Sequence, residues 1–328
     1  MTEPVPALTP FPASTSQTEN PVISVCLTTY NHAPFIAQAI ESVLAQQLNV
    51  SWELLIADDC STDGTAAVAA SYASRFPERI RYRTNEHNRG GVSNWLHALD
   101  SAHGSFIAHL DGDDYWTDPL KLQKQLDLLQ QHAECSLCYT NAVLLSDLPH
   151  KQGLYLNGSI RPVHHYDQIL RQWRVPLLSS SMWRRQAMPK PWPEWLWQSL
   201  FPDVGFFALL SLKGPFCFLN EPTVAYRIHS ASWLHAKGTH VEKCLNVLDL
   251  LDRLDKLFAY RYRHLFNAHR ADQYELLACH YLEKGNPLRF ARYLARSLWY
   301  HPLRSPSALR RGYFRFKHAA KMLLMPSQ

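Results

Sequence analysis

Three times within its first 114 residues the chain runs through a short apolar stretch and stops on polar or acidic side chains. Residues 22–28 end at Thr29-Tyr30-Asn31, residues 52–57 at Asp58-Asp59, and residues 105–110 at Asp111-Gly112-Asp113-Asp114. Helix-period segments lie between and after them. Ile36, Ala39, Ile40, Val43 and Leu44 recur at helical spacing behind Pro34, and Asp63 is placed to cap a helix from Thr65 to about Phe76. Residues 92–102 continue the pattern, and Pro119 opens a helix that buries Leu122, Leu126 and Leu129. Residues 80–83 and 136–145 read as further strands. Short strands alternating with helices predict an α/β domain with a mostly parallel sheet flanked by helices. Ligands of such sheets bind beyond the carboxyl ends of the strands. The three polar endings therefore share one rim and define a site.

The cluster Asp111-Gly112-Asp113-Asp114 carries the strongest chemical signal. Crowded carboxylates repel one another and raise at least one pKa unless a cation neutralises them. Carboxylate oxygens suit Mg²⁺ or Mn²⁺, which leave positions open for phosphate oxygens. An acidic turn that caps the helix at Pro119 is the alternative. An EF-hand is excluded, because the sixth-position Gly and twelfth-position Glu are missing. An Asp at the end of the second strand can accept hydrogen bonds from a base or a ribose. Asp58 and Asp59 fit that role, and equally fit an ordinary turn before a helix.

Four runs in order, Ile23–Asn31, Ala57–Thr65, Asn88–Val92 and Asp111–Asp114, resemble the family 2 glycosyltransferases of the GT-A fold. The resemblance covers roughly residues 21–235. It implies a Rossmann-like, mostly parallel GT-A sheet flanked by helices and followed here by a C-terminal helical region. It also implies an inverting transfer from a nucleotide-diphospho-sugar. By this resemblance Thr29, Tyr30 and Asn31 line the nucleotide pocket, and Asp58 and Asp59 contact base and ribose. Asp111 and Asp113 form the metal-binding Asp-x-Asp, with Asp114 beside them at the nucleotide-sugar. Asp203 matches the family's general base on a later helix, although this chain has Pro202-Asp203 where many members have Glu-Asp. Tyr226-Arg227-Ile228-His229 resembles a segment whose His reaches the diphosphate or the metal. The run from Ser179 to Arg185 resembles one lining the acceptor side. Asp203 also reads as a helix cap after Pro202, and His229 as a structural histidine. The implied acceptor is a hydroxyl of a glycan or lipid-linked glycan, as in cell-surface polysaccharide synthesis. A catalytically inactive nucleotide-sugar-binding scaffold on the same fold is the alternative.

Charge separates the C-terminal part from the rest. The net charge is +5, yet residues 284–328 hold ten Lys/Arg and no Asp/Glu. The remainder is mildly acidic. Arg289, Arg292 and Arg296 fall on one helical stripe, and Arg310, Arg311, Arg315, Lys317 and Lys321 follow among aromatic and leucine side chains. A peripheral contact of residues 284–328 with an anionic membrane is one reading. A helical subdomain with a solvated basic face is the other. No nucleic-acid motif accompanies the charge. Residues 1–20 read as a flexible tail without signal-peptide features, 21–235 as the catalytic domain, and 236–328 as the basic helical region. Seven cysteines, an odd number, suit a reducing cytoplasm. The expected location is thus cytoplasmic, with peripheral placement on the inner face of the membrane if the tail binds lipid.

Overall fold

The computed structural model describes residues 10–12, 20–146, 152–173, 175–229 and 238–301. Strands β1 (Ile23–Thr29), β2 (Trp52–Asp58), β3 (Ile80–Thr84) and β4 (Phe106–Asp111) alternate with helices α1 (Ile36–Leu44), α2 (Thr65–Arg75) and α3 (Gly91–Asp100). Then come the two-residue β5 (Tyr115–Trp116), α4 (Lys121–Gln131) and β6 (Leu137–Ser146). β7 (Gly153–Leu154), β8 (Val163–His164), α5 (Tyr166–Gln172), β9 (Ser181–Arg184), α6 (Glu194–Trp197), α7 (Pro202–Ser211) and β10 (Phe216–Ile228) follow.

The strands form one sheet in the order β3-β2-β1-β4-β9-β6-β10-β5. β1 pairs in parallel with both β2 and β4, and β2 with β3. Their carboxyl ends consequently face one way, as the alternation predicts. β9 is antiparallel to both neighbours, and β6 and β10 are parallel to each other. Register sets the site directly: Thr29 lies opposite Asp58 and Thr28 opposite Asp111.

Val25, Leu27, Leu54, Ile56, Ala108 and Leu110 alternate into a core shared with Ile36, Ile40 and Val43 of α1 and Leu122, Leu126 and Leu129 of α4. All of these are buried, and each large side chain contributes about 1.5–3 kcal/mol by leaving water. The cap of α2 differs in detail from the expectation. Gly64, at φ +97°, is the N-cap, while the Asp63 carboxylate accepts from the Thr65 N–H at 3.1 Å and the Ala33 N–H at 3.0 Å. Within the expected N-terminal tail Phe11 is buried, with the Arg83 guanidinium 4.8 Å over its ring, and the Pro12 carbonyl accepts from Arg81 Nε at 2.9 Å. Residues 10–12 are held to the sheet and are not a free tail.

The chain divides into two compact units. One takes in the described residues up to Gln198 and from Pro202 to His229. The other takes in Ser199–Phe201 and the described residues from Gly238. The second unit contains α8 (His240–Leu257), α9 (Arg263–Glu283) and α10 (Pro287–Tyr300). Thr239 and Glu242 form a capping box at the start of α8, which fixes where that helix begins. Leu248, Leu251 and Leu254 are buried, whereas Leu245 is exposed.

Candidate active site

The loop after β1 and the loop after β2 are tied to each other. Asn31 takes a left-handed φ of 55°, which Asn tolerates better than most residues. Its Oδ1 accepts from the Thr62 N–H at 2.8 Å, and its own N–H donates to Ser61 Oγ at 2.9 Å. Asp58 is fully buried and accepts from the Ser61 N–H, the Tyr82 hydroxyl and the Thr84 hydroxyl at 3.2–3.3 Å. Asp59 accepts from Asn85 Nδ2 and from the Arg89 and Gly90 N–H groups, each at 2.8 Å. Both carboxylates hold the walls of the rim and spend their hydrogen-bonding capacity inside the protein. Thr29 is buried, and Tyr30 projects with 43% of its surface exposed.

The acidic cluster after β4 is built around Ser179, which lies in a short 3-10 turn just before β9. Its hydroxyl lies 2.7 Å from Asp114 Oδ2 and 3.2 Å from Asp111 Oδ2. Behind it, Trp116 Nε1 donates to the Ser179 carbonyl at 2.8 Å and fixes the turn. His109 Nε2 lies 3.1 Å from Asp111 Oδ1. Burial works to raise the Asp111 carboxyl, but the neighbouring His109 imidazole, helped by His32 and Ser179, outweighs it and holds the group below its ordinary value. Asp114 is driven the other way. Burial and then the charges of Asp113 and Asp111 push its carboxyl well above the usual range. Within one cluster the two carboxyls are thus shifted in opposite directions.

Asp113 faces a different set of partners. His229 Nε2 lies 3.1 Å from Asp113 Oδ2, and His32 Nε2 lies 3.9 Å from the same oxygen. The His32 ring is oriented by Thr29 Oγ1, 3.2 Å from its Nδ1. Gly112 makes this approach sterically feasible, since a Cβ there would lie 2.7 Å from Thr29 Oγ1 and 2.9 Å from His32 Nδ1. Arg227 clamps the cluster through the backbone: its N–H donates to Asp114 Oδ1 at 2.9 Å and its guanidinium to the Asp113 carbonyl. That guanidinium also sits between the Phe35 and Tyr115 rings, 4.9 and 4.8 Å from their centroids.

Asp203 stands in the first turn of α7. Burial, with a contribution from the Asp111 charge, pushes its carboxyl up to about 6. Such a group changes protonation close to neutral pH, as a general base requires.

The expected residues Thr29, Tyr30, Asn31, Asp58 and Asp59 therefore stand at one part of the rim, and Asp111, Asp113, Asp114 and His229 at the next. His32, His109 and Ser179 join the cluster without having been singled out for it. Among the described residues no group of three or more His, Cys, Asp or Glu side chains is arranged to hold a metal ion. The donors that do converge are one carboxylate oxygen and the imidazole of His229, with His32 beyond. Oxygen and imidazole donors of this kind fit Mn²⁺ and, less well, Mg²⁺.

The family model described as "Glycosyl transferase family 2" matches residues 24–183. An uncharacterized protein of Mycobacterium tuberculosis, Rv1520, is 38% identical over 222 residues, which span 67% of this chain and 63% of that protein. The match thus leaves more than a third of the mycobacterial relative uncovered. The putative teichuronic acid biosynthesis glycosyltransferase TuaG of Bacillus subtilis is 31% identical over 227 residues, 67% of this chain and 86% of that protein. Among solved structures, Staphylococcus aureus TarS 1-349 in complex with UDP-GlcNAc superposes with a TM-score of 0.54 at 14% identity, over 85% of this chain and 89% of that one. The mannosyltransferase PcManGT of Pyrobaculum calidifontis, in complex with GDP-Man and Mn²⁺, gives 0.52 at 16% identity, over 97% of this chain and 85% of that one. These likenesses place the sheet and its helices in the GT-A fold.

Proposed function

The chain belongs to glycosyl transferase family 2, and from that membership we propose that it is a metal-dependent, inverting glycosyltransferase. Its donor is a nucleotide-diphospho-sugar, and its acceptor a hydroxyl of a glycan or lipid-linked glycan in cell-surface polysaccharide synthesis. The naming of TuaG for teichuronic acid biosynthesis supports the acceptor class. The observation that carries the reading is the convergence of Asp113, His229 and Arg227 at the carboxyl ends of the strands.

Thr29, Tyr30 and Asn31 form the nucleotide wall, with the exposed Tyr30 ring available to a base. Asp58 and Asp59 shape the base and ribose side through the loops they hold. Asp111, kept ionised, and Asp114 face the ribose and the sugar. Asp113 and His229, with Asp111 of the same Asp-x-Asp, would hold Mg²⁺ or Mn²⁺, with the remaining positions left to diphosphate oxygens and water. Such an ion, when bound, supplies Lewis-acid neutralisation of charge on the leaving diphosphate. Asp203 takes the proton from the acceptor hydroxyl as that oxygen attacks the anomeric carbon from the face opposite the leaving group. A single base suffices for direct inversion, through a transition state with oxocarbenium character. The site works in the cytoplasm, where all seven cysteines remain unpaired thiols.

The test is calorimetric binding of a panel of nucleoside diphosphates, with and without Mn²⁺, to wild type and Asp113→Ala. Metal-dependent binding of one diphosphate, lost in the variant, is expected. Folded protein that binds none of them under any metal condition would overturn the nucleotide-diphospho-sugar donor.

A further inference from the structure

α10 is rotated so that its apolar side faces outward. One face of the helix is fixed against α9. Ser297 is buried and its hydroxyl donates to the Ala271 carbonyl at 2.8 Å. Tyr293 stacks on Tyr281 at 5.5 Å and Tyr300 on Tyr274 at 5.6 Å. At about 100° per residue the opposite face then carries Leu288, Leu294, Leu298 and Trp299. Leu288 is 83% exposed and Trp299 82%. Small residues, Ala291 and Ala295, fill the strip between them.

Arg292, Arg296 and Arg289 run along one edge of this strip. Among the described residues none of the three is paired with a carboxylate. Arg289 instead leans on Tyr281, 4.9 Å from its ring, and Arg296 on Tyr274, 5.6 Å away. The result is an outward-facing apolar strip on a 14-residue helix, bordered on one side by guanidinium groups. From Lys284 to the end of the sequence there is no Asp or Glu to neutralise them, and six more Lys/Arg follow His301.

We propose that this face of α10 is a docking surface for an anionic phospholipid bilayer, with the helix axis lying in the plane of the interface. Leucine and tryptophan side chains enter the headgroup boundary, and the arginine edge meets lipid phosphates. Charge complementarity selects the occupant. A neutral apolar partner would leave the arginine edge unanswered, and a purely acidic one would leave the leucine and tryptophan strip in water. Apolar insertion plus a basic segment supplies the two signals that stable peripheral binding requires. The surface lies outside the nucleotide-binding residues, so its test can fail while the transferase reading stands.

The experiment is co-sedimentation of the full chain with phosphatidylcholine vesicles, with and without phosphatidylglycerol, at low and high salt. Binding to the anionic vesicles is expected, weakened by salt, with little binding to phosphatidylcholine alone. Arg289→Gln/Arg292→Gln/Arg296→Gln should lower partitioning by roughly 100-fold, at about five-fold per basic residue near the lipid. Leu288→Ser/Trp299→Ser should abolish the part of the binding that survives high salt. Both variants should retain wild-type circular dichroism and nucleoside diphosphate binding. Failure of the wild type to bind anionic vesicles, or unchanged binding of both variants, would overturn the proposal. So would a wild-type dimer that Leu288→Ser/Trp299→Ser turns into a monomer, since the strip would then be an interface between copies.

Discussion

His229 Nε2 lies 3.1 Å from Asp113 Oδ2, across 116 residues of sequence, at the point where the last strand of the sheet runs out beside the acidic turn after β4. An imidazole and a carboxylate this close can share one divalent cation as its ligands. His229→Ala should weaken Mn²⁺-dependent nucleoside diphosphate binding by about tenfold or more, within the range seen when groups around a metal are removed. His32→Ala, farther from the same oxygen, should have the smaller effect. Calorimetry with and without Mn²⁺ measures both. Equal binding by His229→Ala and wild type would remove His229 from the site.

On the proposed mechanism Asp203, as the base, sets the acid limb of activity. Its carboxyl is pushed up to about 6, mainly by burial. As a base it must be ionised, so kcat/KM should fall as pH drops through about 6 and level off above about 7. Asp203→Asn should reduce kcat by about 100-fold or more while leaving nucleoside diphosphate affinity unchanged. A pH–rate profile on the identified donor is the measurement. A variant that turns over normally would return Asp203 to the role of a helix-start residue.

Much of this arrangement could be read before any coordinates. β1, β2 and β4 announce themselves because each is an apolar run with a polar end, and parallel register then forces Thr29, Asp58 and Asp111 onto one rim. The two-residue β5, just after the acidic motif, is too short to show a period. β9 hides in a stretch rich in Ser and Trp, where neighbours across the sheet decide the conformation. Ser179 is marked in sequence only as the start of a run on the acceptor side, and its place at the cluster comes from Trp116 holding the turn against Asp111 and Asp114. His32 is likewise a lone histidine in sequence, and only Gly112 makes room for it at the cluster. For Asp58 and Asp59 the sequence indicates position but not how fully their oxygens are engaged.

Asp114 separates a hydrogen-bonding need from a charge. Its oxygens meet the Arg227 N–H at 2.9 Å and Ser179 Oγ at 2.7 Å, and its burial beside Asp113 and Asp111 disfavours the anion. Asp114→Asn keeps the acceptor and drops the charge, so it should be at least as stable as wild type at neutral pH. Asp114→Ala leaves both donors without their partner and should cost about 1–3 kcal/mol. Urea denaturation of the two variants decides it. Equal destabilisation by both would mean that the charge itself is needed.

Lys121 offers the clearest pH signature in stability. Its side chain is fully buried and, among the described residues, has no carboxylate at ion-pair distance; Nζ donates to Gln125 Oε1 at 2.7 Å and lies 4.3 Å over the Trp116 ring. Burial pushes the amine down from 10.5 to about 7. The unfolded chain therefore binds more protons than the folded one between about pH 7 and 10.5. Stability should rise with pH across that window, with an upper limit of about 1.4 kcal/mol per pH unit. Below pH 7 the amine is charged in both states, so the penalty is constant there. Lys121→Met should remove the slope. Its absolute stability can move either way, because Gln125 loses a donor while a buried charge disappears. The reading is therefore the difference between pH 6.5 and 9 in urea-denaturation free energy. A variant whose pH dependence parallels that of wild type would show that Lys121 is not the group responsible.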